Sequence, residues 1–315
     1  MIVTDYLYSG KDISWDYARQ CGVTHGTIRL PESNDFDITD RAHWQTIRGR
    51  FQNFGIQPIV IEPLPNILHD HIKTGDSMRD ESIEKLIKAF QYMQEMGIHT
   101  VCFNFMAHIG WLRTSNEIHE RGQALVTGFD LRNVESTPYS ITEKELWDNY
   151  LYFIKAVLPF AEKYNIRLAL HPDDPPLDRI GNVSRIMTSY PNIKKAIDTI
   201  RSDMLGVTMC QATYYLMGED LFRVVPELAD KIFFIHFRNV RGNKFQFQET
   251  FHDNGDLDMA ALLRLYTSLK LDVPIRVDHV PLMAGERNDR PGYTVAGRLF
   301  AIGYLKGLLQ MCEQG

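Results

Sequence analysis

Four residues of metal-ligand type close four apolar runs in the second half of the chain: His171 after RLAL, Cys210 after GVTM, His236 in FFIH and Asp278 after IRV. Two imidazoles, one thiolate and one carboxylate suit a single divalent ion, with coordination positions left open for a substrate. Taken one at a time, a buried histidine is usually a hydrogen-bonded core residue and a buried cysteine a small hydrophobe. Their repetition at four successive run ends points to a metal centre. Cys21, in a helical pattern, and Cys312, near the C-terminus, keep the ordinary reading.

Around these four lie groups better suited to a substrate than to a metal. His171 opens the segment H-P-D-D-P-P, in which each proline fixes its own φ and biases the preceding residue toward extended backbone, restricting the chain that presents Asp173 and Asp174. Arg238 and Asn239 follow His236, Glu249 and His252 come a little later, and His279 directly follows Asp278. Arg113, in a long connection, reads either as an anion clamp or as a surface charge.

The elements that must position these residues form a repeating pattern of short apolar runs and longer amphipathic stretches. Strand candidates are Val3–Tyr8, His25–Leu30, Pro58–Glu62, Thr100–Phe105, Arg167–His171, Leu205–Cys210, Ile232–Phe237 and Pro274–Asp278. Helical spacing is clearest over Ser82–Met96 and Glu145–Tyr164, with Asp80 and Thr142 as N-caps, Glu145 completing a capping box, and Gly97 and Asn165 as stops. Eight β-then-α units predict an α/β fold, a single (β/α)8 TIM barrel over residues 1–315, with reactive groups at the C-terminal ends of the strands. A doubly wound open sheet is the alternative, but no G-x-G-x-x-G turn follows an early strand. The connection Met106–Ile141 has no clear period, and its length reads as an active-site lid or binding loop.

Composition narrows the classes. The chain has 315 residues, 44% hydrophobic and 23% charged, as in a folded domain with a large core. Its net charge of −6, without a basic block, argues against nucleic acid as a partner. No stretch approaches the roughly 18 uninterrupted apolar residues of a membrane span, and MIVTDYLYSG lacks a leader pattern. The expectation is a cytoplasmic protein with reduced cysteines and no membrane partner, self-association into a homo-oligomer remaining open.

With these segments assembled, the chain resembles the mannonate dehydratases, metal-dependent lyases of the xylose-isomerase-like barrel group. The matching segments are CFNFM at Cys102–Met106 with WLRT at Trp111–Thr114, LALHPDDPP at Leu168–Pro176, TMC at Thr208–Cys210 and HFRNV at His236–Val240. GDLDM at Gly255–Met259, Asp278-His279 and PGY at Pro291–Tyr293 with Arg298 complete the series. The resemblance implies that His171, Cys210, His236 and Asp278 hold one manganese or ferrous ion, and that His279 and Tyr293 take part in proton transfer. It also implies a carbohydrate-metabolising lyase acting on a small sugar acid, converting mannonate to 2-keto-3-deoxygluconate. This chain departs from the family in substrate-facing segments: Gln248 in FQE where family members carry FHE, HGTIRLP without a paired histidine, Val280 after Asp278-His279, and Gln211 after the cysteine.

Dehydrating a 2,3-dihydroxy acid requires loss of a weakly acidic proton beside a carboxylate and departure of hydroxide. His279 and Tyr293 are assigned as the acid–base pair, in an order the sequence leaves open. Arg113 would bind the carboxylate or a distal hydroxyl, Asp174 and Asn239 would orient ligands or substrate, and Arg238 and His252 complete the substrate-binding expectation. The nearest rival is a metal-dependent isomerase or epimerase of a sugar or sugar acid on the same barrel. A zinc hydrolase, which the thiolate would suit, and a sugar-binding protein with a decayed site follow.

Overall fold

Alternation along the strands explains both the barrel and its contents. The computed structural model describes residues 1–33 and 35–313. Eight parallel strands, β1 (Ile2–Tyr8), β2 (His25–Arg29), β3 (Gln57–Ile61), β4 (Thr100–Phe103), β5 (Arg167–Leu170), β6 (Leu205–Cys210), β7 (Ile232–Phe237) and β8 (Pro274–Val277), close in sequence order, with β1 paired to both β2 and β8. That closure removes the open-sheet alternative. All eight strand candidates are present, four ending one residue short of Leu30, Glu62, His171 and Asp278 and the one expected to reach Phe105 ending at Phe103.

Successive side chains of a strand point to opposite faces. Leu168 and Leu170 of β5, Val207 and Met209 of β6, Ile235 and Phe237 of β7, and Ile275 and Val277 of β8 all join the large core between barrel and helices. The residues between them face inward, where Val60, Cys102, Ala169, Phe233 and Phe234 form a separate interior cluster. Two residues beyond Ala169 is His171, two beyond Thr208 is Cys210, and two beyond Phe234 is His236. The period therefore carries each ligand candidate to the barrel axis at the C-terminal rim. Cys210 lies opposite His236 in the β6–β7 register, and His236 opposite Arg276 in β7–β8. Gly206 is required by the same crowding, since a Cβ there would run into the Lys231 carbonyl and the Phe233 ring.

The outer helices follow the expected punctuation with one correction. Thr142 and Glu145 form the capping box of the helix Glu143–Lys163, Gly97 ends Arg79–Met96 in the left-handed region, and Asn165 has a φ of 54° just past its helix. Asp80 is not an N-cap: its helix begins one residue earlier, and its carboxylate accepts hydrogen bonds from Tyr152 Oη and Arg79 Nε. In the first turn it still complements the helix dipole.

The long connection is ordered by a pairing its own sequence does not announce. Ser115–His119 and Leu125–Asp130 form two strands of a four-stranded antiparallel sheet, completed by Gln246–Glu249 and Val240–Asn243 from the loop after β7. This sheet joins two distant loops and delivers Arg113 and Glu249 to the same place. Among the described residues, no helix is long and apolar enough to cross a membrane.

Candidate active site

At the rim, His171, Cys210 and His236 each offer a ligand atom within 4.8 Å of the others. His171 Nδ1 lies 2.6 Å from the Pro172 carbonyl. A carbonyl only accepts, so Nδ1 carries the proton and Nε2 presents a lone pair, 3.2 Å from His236 Nδ1. His236 Nδ1 is also 3.5 Å from Asp278 Oδ2. His236 Nε2 sits 3.0 Å from Glu62 Oε1 but makes no hydrogen bond of acceptable geometry. Burial alone would raise the Cys210 thiol, but Arg238 and the neighbouring His171 and His236 outweigh it and hold the group well below the usual thiol range. Burial likewise opposes ionisation of Asp278, and Arg276, His279 and His236 overcome it. An unprotonated imidazole nitrogen, a sulfur biased toward thiolate and an ionised carboxylate gathered around His236 can hold a divalent ion. Asp278 stands slightly apart, touching the trio through His236.

Beside these donors, His279 Nε2 lies 3.1 Å from Tyr293 Oη and 3.6 Å from Asp278 Oδ1. His279 adopts a φ of 39°, an uncommon conformation for a non-glycine residue and one that needs support from its surroundings. That support is visible: Glu249 Oε1 approaches Nδ1 at 3.0 Å, and the following amide, Val280 N–H, donates to Gly292 O at 2.8 Å. Gly292 itself has a φ of 80°, a conformation that side chains disfavour and glycine adopts freely.

A buried charge network underlies the pair. Arg113 donates to both oxygens of Asp174, each at 2.9 Å, and to Glu249 Oε1 at 2.6 Å. Arg238 donates to Asp174 Oδ2 at 2.7 Å and to both Glu249 oxygens at 2.6 and 2.9 Å. Burial would favour neutral carboxyls, yet the two guanidiniums and His279 hold Glu249 down to about 2, and the guanidiniums keep Asp174 ionised. These contacts and those that follow show where the substrate-binding candidates are held in this structure. Arg113 and Arg238 are used up by carboxylates behind the cavity surface. Asn239 is bonded to the carbonyls of His252 and Leu257, and His252 donates from Nε2 to Phe237 O. Burial lowers the His252 pKa to about 4, leaving a neutral structural imidazole. Asp173 is also withdrawn, accepting from the amides of Ile186 and Met187. Of the five residues expected to bind substrate, only Asp174 reaches the cavity wall.

The cavity, about 410 Å³, is lined by His171, His236, Asp174, Asp278, His279 and Tyr293. Its lining also includes residues that the sequence did not single out: Glu62 and Arg276, which touch His236 and Asp278, and Arg29, Asp70 and Lys73. Glu62 accepts from Arg276 Nε at 2.6 Å and Nη2 at 2.9 Å, and Arg276 also binds Asp278 Oδ1 at 2.8 Å, so this ion pair braces a ligand candidate from below. The period-two rule that found His171 finds Glu62 and Arg276 as well, two residues beyond Val60 and two before Asp278. No comparable signal marks Lys73, which lies on a helix.

The fold is a closed (β/α)8 barrel with ligand-type residues at the C-terminal rim, and an L-ribulose 3-epimerase structure shares this fold with a TM-score of 0.62 at 15% identity, covering 98% of this chain and 95% of that one. The D-mannonate dehydratase profile matches residues 4–140 and 137–315. The chain belongs to the D-mannonate dehydratase family, and that membership makes it a sugar-acid dehydratase, a hydro-lyase. It is 30% identical to mannonate dehydratase 2 of Halalkalibacterium halodurans, with 94% of each chain covered, and 32% identical to the mannonate dehydratase of Streptococcus equi subsp. zooepidemicus, covering 81% and 79%. The crystal structure of mannonate dehydratase from Streptococcus suis superposes with a TM-score of 0.90 at 26% identity, covering 100% of this chain and 94% of that one.

Proposed function

We propose that this chain, as one catalytic barrel, dehydrates D-mannonate to 2-keto-3-deoxy-D-gluconate with a manganese or ferrous ion held by His171, Cys210, His236 and Asp278. The observation that carries the reading is the 3.1 Å contact between His279 Nε2 and Tyr293 Oη on the cavity wall, beside the donor set. When bound, the ion supplies Lewis-acid neutralisation of the charge that develops on the substrate's carboxylate and 2-hydroxyl as C2 loses its proton.

The residues of the chain account for the rest. Dehydration takes a proton from C2 and delivers one to the hydroxyl leaving C3, so one member of the His279–Tyr293 pair accepts while the other donates. The acceptor then holds one proton too many and its neighbour one too few. Their contact lets that proton pass directly between them, which resets the pair without bulk water, while the enol product tautomerises to the 2-keto acid. Glu249 aims His279, and Arg113 and Arg238 hold Glu249 and Asp174 in place. Asn239 and His252 fix the loop after β7.

Incubating metal-reconstituted protein with D-mannonate and measuring 2-keto acid tests the proposal. A 2-keto-3-deoxy product is expected. An aldose–ketose pair or an epimer, with no deoxy product, would transfer the chain to the isomerase and epimerase reading.

A further inference from the structure

The wall facing the metal-ligand candidates carries its own chemistry. The barrel closes in sequence order, so β3 lies across from β7, and the helix Asn66–Thr74 after β3 hangs over the far side of the cavity. Lys73, on that helix, is 2% exposed and lines the cavity. Its Nζ lies 2.7 Å from Asp70 Oδ1, its only partner among the described residues, leaving two of its three donors free. Burying an ammonium with one partner costs stability unless a ligand completes its contacts. Asp70 also lines the cavity and is exposed. On the same side, Arg29 is paired with Glu32 at 2.8 Å, and Asn66 and Asn104 add uncharged donors and acceptors.

We propose that Lys73 and Asp70 form a specificity-determining pair that reads the distal hydroxyls of the substrate chain, and that they select a sugar acid with a single carboxylate. This rests on the dehydratase reading above, which places the acid end of the substrate against His171, His236 and Asp278. A hydroxyl both donates and accepts, and an ammonium–carboxylate pair answers both needs at one place. A carboxylate or phosphate at the far end would gain Lys73 but meet Asp70, a like-charge cost that a neutral hydroxyl avoids. The far wall, neutral in sum although built of charges, fits an uncharged polyol tail.

The test uses binding to the metal-loaded full chain, measured by calorimetry with ligands that cannot be dehydrated. A 3-deoxyhexonate keeps the distal hydroxyls, lactate keeps only the carboxylate and 2-hydroxyl, and the matching 3-deoxyhexarate ends in a second carboxylate. Lys73→Met is expected to weaken 3-deoxyhexonate by about 10–100-fold and leave lactate unchanged. Wild type should bind the hexarate more weakly than the hexonate, and Asp70→Asn, at an exposed position that folding tolerates, should narrow that gap. Equal losses for hexonate and lactate in Lys73→Met, or equal affinity of wild type for hexonate and hexarate, would overturn the proposal. Failure of D-mannonate turnover with this binding pattern intact would count against the dehydratase reading alone.

Discussion

Glu249 Oε1 lies 3.0 Å from His279 Nδ1, and the two residues reach each other from different loops, one after β7 and one after β8. The contact leaves Nε2 of His279 facing Tyr293 and the cavity. Glu249→Gln retains the shape and removes the charge, so His279 is expected to lose its fixed tautomer. We expect kcat to fall by about 10–100-fold with unchanged metal content, accompanied by a shifted pH–rate profile. An unshifted profile with a proportionate loss of folded protein would reduce Glu249 to a structural role.

Tyr293 offers a cleaner substitution, since His279 is the hydrogen-bonding partner of its hydroxyl. Tyr293→Phe should keep the fold and the metal and lower kcat by about 10²–10⁴-fold, the range for removing a positioned acid or base. Retention of wild-type turnover would remove Tyr293 from the chemistry.

The metal assignment is tested by retention. Cys210→Ser or His236→Ala should abolish metal retention, and a chelator should silence the wild type until manganese or iron is restored, with zinc as the comparison made necessary by the thiolate. A full metal complement in the His171→Ala/His236→Ala double variant, by elemental analysis, would sink the ligand set.

Stability should respond to acid earlier than carboxylates alone predict. Burial lowers His252 from 6.5 to about 4, so between those values the unfolded chain binds a proton the folded chain refuses. Stability is therefore full above about pH 6.5 and declines as pH falls toward 4, by on the order of 2–3 kcal/mol. Glu249, held down to about 2, adds a further loss below its ordinary range near 4.5. Denaturant melts from pH 7 to 4 should show a shallower decline in His252→Gln than in wild type, the remainder coming from the buried His69, which burial also holds below its ordinary range. The same slope in both would assign it elsewhere.

The barrel was legible because its signal is local. Alternation within RLAL, GVTMC and FFIHF sets which side chains face the axis, and the residues at the rim follow by counting in twos. The strands of the Met106–Ile141 connection were not legible, because LVTGFD acquires its order by pairing with a loop more than a hundred residues away and SNEIH by pairing with LVTGFD. The same reason hid the partners of the substrate-binding candidates. Arg113 and Arg238 look available in a sequence, and only the fold brings Asp174 and Glu249 to engage them. Lys73 went unseen because a lysine in an amphipathic helix ordinarily faces solvent.

The four-stranded sheet over the rim also sets an order of events. Arg113 and Glu249 are separated by 136 positions, and Glu249 must then find His279 beyond the last strand. Contacts of such span form after their loops have been closed at an entropic cost, so the lower barrel and its distal wall can take shape before the proton-handling pair is aimed. A folding chain would thus acquire its shape for the substrate first and its reactivity last, when β8 shuts the ring against β1.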